Sequence, residues 1–149
     1  MKNLLTSLLI STGILLPLSA GTAMAQDAVD AVLTLTVENI KKPKGFISAG
    51  LYQGQAGYEG GLRLTGTRVE VSGERVTFTF KAVPAGQYGI KLIHDVDGDG
   101  KMDTGLFGIP AEPYAFSNSA RASRGPAEWK NAKFDLIAGE NTHVIRFKK

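Results

Sequence analysis

The feature that most limits how this chain can fold is a strict alternation of apolar and polar residues. AVLTLTVE (Ala31 to Glu38) puts Leu33, Leu35 and Val37 on one side of an extended segment and Thr34 and Thr36 on the other. RVTFTFKAV (Arg75 to Val83) repeats the arrangement with Val76, Phe78 and Phe80 against Thr77 and Thr79. Strand side chains point alternately to two faces, so a period of two marks a strand buried on one side and solvated on the other. GFISAGLYQ (Gly45 to Gln53), QYGIKLIH (Gln87 to His94), AKFDL (Ala132 to Leu136) and THVIRFK (Thr142 to Lys148) add four more strands, and Leu62 to Val71 offers another. No long stretch carries a helical period. Connectors such as Pro84-Ala85-Gly86 and Ala138-Gly139-Glu140-Asn141 have the turn chemistry that antiparallel strands need. Six to seven short strands predict an all-β fold, a single antiparallel β-sandwich burying its alternating residues between two sheets.

The N-terminus follows a different rule. Lys2 supplies a positive start, Leu4 to Leu18 an apolar run broken by Gly13 and Pro17, and Ala23-Met24-Ala25 a small-residue cleavage motif. This is the pattern of a signal peptide over residues 1–25, cleaved to leave one domain, residues 26–149, in the periplasm or the medium. No later stretch is apolar and long enough to span a bilayer. The chain has no cysteine, which excludes disulfides and a lipid-modified N-terminal cysteine. Its formal net charge is +3. Arg121, Arg124, Lys130 and Lys133 fall close together, as a solvated face or as a surface toward an anionic envelope polymer or lipid. Export and the lack of aromatic-basic interleaving argue against nucleic acid as a partner.

From Asp95 to Asn131 no strand is expected, and a connection that long in a small domain is functional or disordered. Its apolar residues, Leu106, Phe107, Ile109, Tyr114 and Phe116 with Trp129 following, predict an ordered loop packed onto the sandwich or a ligand surface. The loop opens with HDVDGDGKMDTG, His94 to Gly105. Asp95, Asp97, Asp99 and Gly100 occupy positions one, three, five and six of a D-x-D-x-D-G calcium loop, where alternate carboxylates converge and glycine permits the bend. Lys101, at position seven, would contribute only its backbone carbonyl, and Asp103 stands at position nine. The bidentate glutamate of position twelve is replaced by Leu106, and flanking helices are missing because QYGIKLIH alternates as a strand. The expected metal ligands are therefore Asp95, Asp97, Asp99, Lys101 and Asp103, with Glu112 a candidate to fold back as one more. An all-oxygen set of this size favours calcium over zinc, and over a magnesium ion that keeps its waters. A hydrated Asp/Gly turn is the plainer alternative.

VPAGQYGIKLIHDVDGDGKMDTGLFGIPAEPYAFSNSA followed by RGPAEWKNAKFDL closely resembles the bacterial secreted family catalogued as domain of unknown function 2141. The resemblance covers essentially all of the chain after the signal, and implies an exported β-sandwich with no established activity. FKAVPAGQYGIKL is also similar to the Pro-x-Gly-x-Tyr turn of transthyretin-like and collagen-adhesin B-type repeats, which implies only a sandwich of the immunoglobulin or transthyretin kind.

Catalysis finds little purchase in the residues. The chain has two histidines, His94 and His143, and no G-x-S-x-G elbow, H-E-x-x-H helix or phosphate-cradling loop. His94, sharing a face with Tyr88, Ile90 and Leu92, is expected at the edge of the core, bonded to loop carbonyls, and His143 is expected to be structural. The sequence thus predicts a non-enzymatic exported module whose calcium loop pins a surface for a protein, glycan or envelope component. The alternative is a metal-assisted hydrolase using His94 and the aspartates.

Overall fold

Each alternating segment forms a strand. In the computed structural model, which describes residues 30–148, the chain runs β1 (Ala31–Glu38), β2 (Phe46–Gln53), α1 (Gly54–Gly60), β3 (Thr65–Glu70), β4 (Arg75–Val83) and β5 (Gly86–Asp95). It continues through β6 (Tyr114–Phe116), α2 (Trp129–Ala132), β7 (Phe134–Leu136) and β8 (Gly139–Arg146). The expected signal peptide, residues 1–25, lies outside the described residues.

The strands form two sheets. One has the order β4-β1-β8, and the other runs β3-β2-β5-β6, with β7 pairing the same edge of β5 farther back along the strand. The sandwich and its all-β character are as predicted, with one departure: β1 and β8 pair in parallel, Ala31 opposite Gly139 and Glu38 opposite Arg146. Every other strand pair is antiparallel. The count is eight strands among the described residues rather than six to seven, because Tyr114–Phe116 adds a short strand inside the connection where none was expected. Its pairing with Lys91–Ile93, not its local composition, makes it a strand.

Period two translates directly into burial. Ala31, Leu33, Leu35 and Val37 of β1, Ile47, Ala49 and Leu51 of β2, and Tyr88, Ile90 and Leu92 of β5 form one apolar cluster between the sheets. Removing this area from water is the main force holding the layers together. A smaller cluster lies on the opposite face of the second sheet, where Tyr58 of α1 meets Trp129 and Ala132 of α2, with Phe116 and Ala127. Gly89 permits this contact, since a Cβ there would lie 2.5 Å from the Tyr58 ring and 3.2 Å from that of Trp129. The helix α1 had no signal in the alternation.

Ser117 to Ser119, a tight 3₁₀ turn after β6, fastens the connection to both sheets. The Ser117 hydroxyl accepts from the Ile90 amide and donates to the Ala132 carbonyl. The Asn118 side chain donates to the carbonyls of Asn131 and Lys133, and the Asn118 amide donates to His143 Nε2 at 3.1 Å. His143 must be unprotonated at Nε2 to accept it. Burial lowers its pKa from the ordinary value, in keeping with a neutral ring stacked on Phe134.

Candidate metal centre

The aspartate loop begins on a strand. Asp95 is the last residue of β5 and is only 1% exposed. Its Oδ1 accepts from the Gly98 amide at 2.7 Å, and its Oδ2 accepts from the Gly100 amide at 2.9 Å and from Arg68 Nη2 at 2.8 Å. Gly98 and Gly100 have φ of +85° and +83°, a conformation the turn needs and glycine adopts without penalty. Burial works to raise the Asp95 pKa, but the two amides and the Arg68 hydrogen bond and charge outweigh it, holding the carboxyl below its ordinary value. A carboxylate has about four lone-pair sites. Three at Asp95 are occupied, which leaves one on Oδ1.

The next turns repeat the device. Asp97 Oδ1 accepts from the Asp99 amide at 3.2 Å, and Asp99 Oδ1 accepts from the Lys101 amide at 2.8 Å. The second oxygen of each of these carboxylates has no hydrogen-bond partner among the described residues. Asp95, Asp97 and Asp99 each offer one oxygen within 4.8 Å of the others. A second group with the same spacing joins Asp97 to Asp103 and Glu112, so Asp97 belongs to both. The Lys101 side chain is exposed.

Glu112, rather than a residue at 106, brings a further carboxylate to the loop, beside Asp97 and Asp103. It is 7% exposed, and its carboxylate accepts from the Val96 amide at 2.7 Å and the Asp103 amide at 3.4 Å. One side chain thus ties the start of the loop to its far end. Leu106 is 83% exposed. The sequence signal for Glu112 was a lone acid between Pro110 and Pro113; Arg68 gave none, because its tie to Asp95 is made across the sheet from β3.

His94 does not join the acids. It is 1% exposed on the inner face of β5, while alternation turns Asp95 to the outer face. Its Nε2 donates to the Lys44 carbonyl at 2.8 Å, as expected for a histidine at the edge of the core, and its ring packs near Phe147.

Between Asp103 and Ala111 the chain doubles back as a small hairpin. Thr104 bridges Pro110, the Gly105 amide donates to the Ile109 carbonyl, and the Ala111 amide donates to the Asp103 carbonyl. Here one expectation fails. Phe116 and Trp129 pack onto the sheet, but Leu106, Phe107, Ile109 and Tyr114 remain exposed. The hairpin satisfies its own backbone and stands off the sheet, leaving a groove between Phe107 and Ile109 on one side and Ile93, Tyr114 and Phe116 on the other. Arg121, Arg124, Lys130 and Lys133 are all exposed, and Lys130 pairs with Glu128 at 2.8 Å.

The two acid groups contain oxygen donors alone, a set suited to a hard divalent cation and unsuited to zinc or copper. No curated protein and no solved structure matches the chain. A family model described as "Uncharacterized protein conserved in bacteria (DUF2141)" matches residues 35–145, from β1 through the aspartate loop to β8, and the chain belongs to that bacterial family.

Proposed function

We propose that this protein is an exported, non-enzymatic β-sandwich module in which a calcium ion held by the aspartate loop braces a projecting apolar hairpin for docking on an envelope component. The observation that most supports this reading is the position of Glu112. It brings a buried carboxylate to Asp97 and Asp103 and spans the base of the hairpin, so a cation there would couple charge neutralisation to the hairpin's orientation. Arg68 already offsets the charge of Asp95. The charge left for a metal to neutralise therefore belongs mainly to Asp97, Asp99, Asp103 and Glu112. Export is supported by the signal-like residues 1–25. A hydrolase using His94 is disfavoured by the separation of that ring from the acids.

Calcium titration with thermal melting tests the reading. A dissociation constant on the order of 0.1 to 1 mM is typical of extracellular calcium modules. At about 10 mM calcium, linkage then stabilises the fold by roughly 1.4 to 2.7 kcal/mol, which raises the melting temperature by roughly 5 to 15 °C. Asp97→Asn, which keeps an oxygen for the Asp99 amide but removes the charge shared by both groups, should lose most of the shift. Lys101→Ala should retain it. A wild-type melting temperature indifferent to calcium would sink the proposal.

A further inference from the structure

The hairpin ends in Leu106 and Phe107, whose side chains are 83% and 94% exposed, with Ile109 exposed beside them. Large apolar side chains gathered at one projecting tip mark an interaction surface. Folding does not account for Phe107. Its side chain gains almost no burial, and its backbone sits at φ +64°, ψ 20°, a left-handed conformation that disfavours a bulky residue. An aromatic ring that is strained to hold and unburied when held suits an apolar phase outside the molecule.

The surroundings of the tip say which phase. A groove of about 730 Å³ lies beside it, lined by Phe107 and Ile109 of the hairpin together with Ile93, Tyr114 and Phe116, and the charged groups in its lining are Lys91 and Arg124, with no acid. The Lys91 ammonium is engaged, donating to the Tyr58 carbonyl at 2.7 Å. Arg124 is exposed and has no ion-pair partner among the described residues. Apolar side chains that can enter hydrocarbon beside a free cation that can meet phosphate match the two layers of a bilayer surface.

We infer that the Leu106-Phe107 tip inserts into the interface of an anionic lipid bilayer, with Arg124 at the level of the headgroup phosphates and the carboxylates at the hairpin base on the water side. This names the partner within the docking role proposed above and rests on it, but the insertion itself requires no calcium. Asp97, Asp99, Asp103 and Glu112 repel bare anionic headgroups, so binding is stronger with calcium than with chelator wherever the loop holds the ion.

The test is co-sedimentation of the mature protein with vesicles of phosphatidylethanolamine and phosphatidylglycerol, in calcium and in chelator. The wild type pellets with the vesicles. Phe107→Asn, a residue at ease in the left-handed region, keeps the fold and lowers the partition coefficient roughly ten- to a hundredfold, the worth of burying one phenylalanine. Arg124→Asn lowers it roughly fivefold on these vesicles and leaves partition into phosphatidylcholine vesicles unchanged. With Phe107→Trp, brominated lipids quench the new tryptophan. Binding equal in calcium and chelator, yet lost in Phe107→Asn, upholds insertion while counting against the calcium loop. Insertion is overturned if the wild type stays in the supernatant under both conditions, or if Phe107→Asn pellets as the wild type does. It is equally overturned if the tip instead supports a dimer that Phe107→Asn dissociates without any vesicle binding.

Discussion

Between the sheets, Leu35, Ile47 and Ile90 are fully buried in a single apolar cluster, whereas across Asp95 to Glu112 the side chains are held chiefly by backbone amides donating to carboxylates. The first kind of contact has no direction and does not titrate. The second depends on angle, on ionisation and on the counter-charge of Arg68. The core is therefore sensitive to volume, and the loop to charge and pH. A cation can act on the second region without disturbing the first.

The sharpest way to break this contrast is to truncate one apolar residue in each region. Ile90→Ala, at a fully buried position, should cost about 2 to 5 kcal/mol in chemical denaturation, because it leaves a cavity that the sheets cannot close. Leu106→Ala should stay within about 0.5 kcal/mol of wild type. Comparable losses at the two sites would mean that the hairpin packs in solution.

A medium effect is expected at the edge of the loop. Arg68→Ala removes a charge-assisted bond from the buried Asp95 carboxylate, but the two glycine amides remain and the Arg68 side chain is 41% exposed. The cost should be about 1 to 2 kcal/mol at neutral pH. Because the folded pKa of Asp95 is lowered, its contribution is complete above the ordinary aspartate value of about 3.9 and is lost as pH falls through the folded value. The difference between wild type and Arg68→Ala, measured by denaturation across pH, should therefore shrink in acid. A difference that did not shrink as the pH was lowered would assign the effect instead to packing of Arg68 on the Phe46 ring, 3.9 Å from its centroid.

The smallest effect has the opposite sign. The Tyr58 hydroxyl is buried with no hydrogen-bond partner among the described residues, and burial, with the charge of Tyr52 adding to it, pushes its pKa up to about 12. Tyr58→Phe keeps the ring against Trp129 and removes the unsatisfied group, so stability should rise by about 0 to 1 kcal/mol. A clear loss in the denaturation midpoint would reveal a hydrogen bond to that hydroxyl.

What was legible followed from local constraints. One-sided burial forces a period of two, so the segments from Ala31, Gly45, Arg75 and Gln87 declared themselves as strands, and the spacing of Asp95, Asp97 and Asp99 declared a turn of converging carboxylates. Neither α1 nor β6 was legible. The seven residues Gly54–Gly60 are too few to display a helical period, and Tyr114–Phe116 is a strand only because Lys91–Ile93 lies beside it.

By itself the sequence determined the all-β character, the inward faces of the main strands and the first acid group, because each depends on residues within a few positions of one another. Tertiary structure alone decided that β8 runs parallel to β1, that Arg68 neutralises Asp95, that Glu112 lies beside Asp97 and Asp103, and that Phe107 stands in solvent instead of covering the core. The physical reason is the same in each case. These contacts join residues far apart along the chain, or depend on whether a self-satisfied hairpin finds a surface to lie on, and neither leaves a spacing that a linear sequence can display.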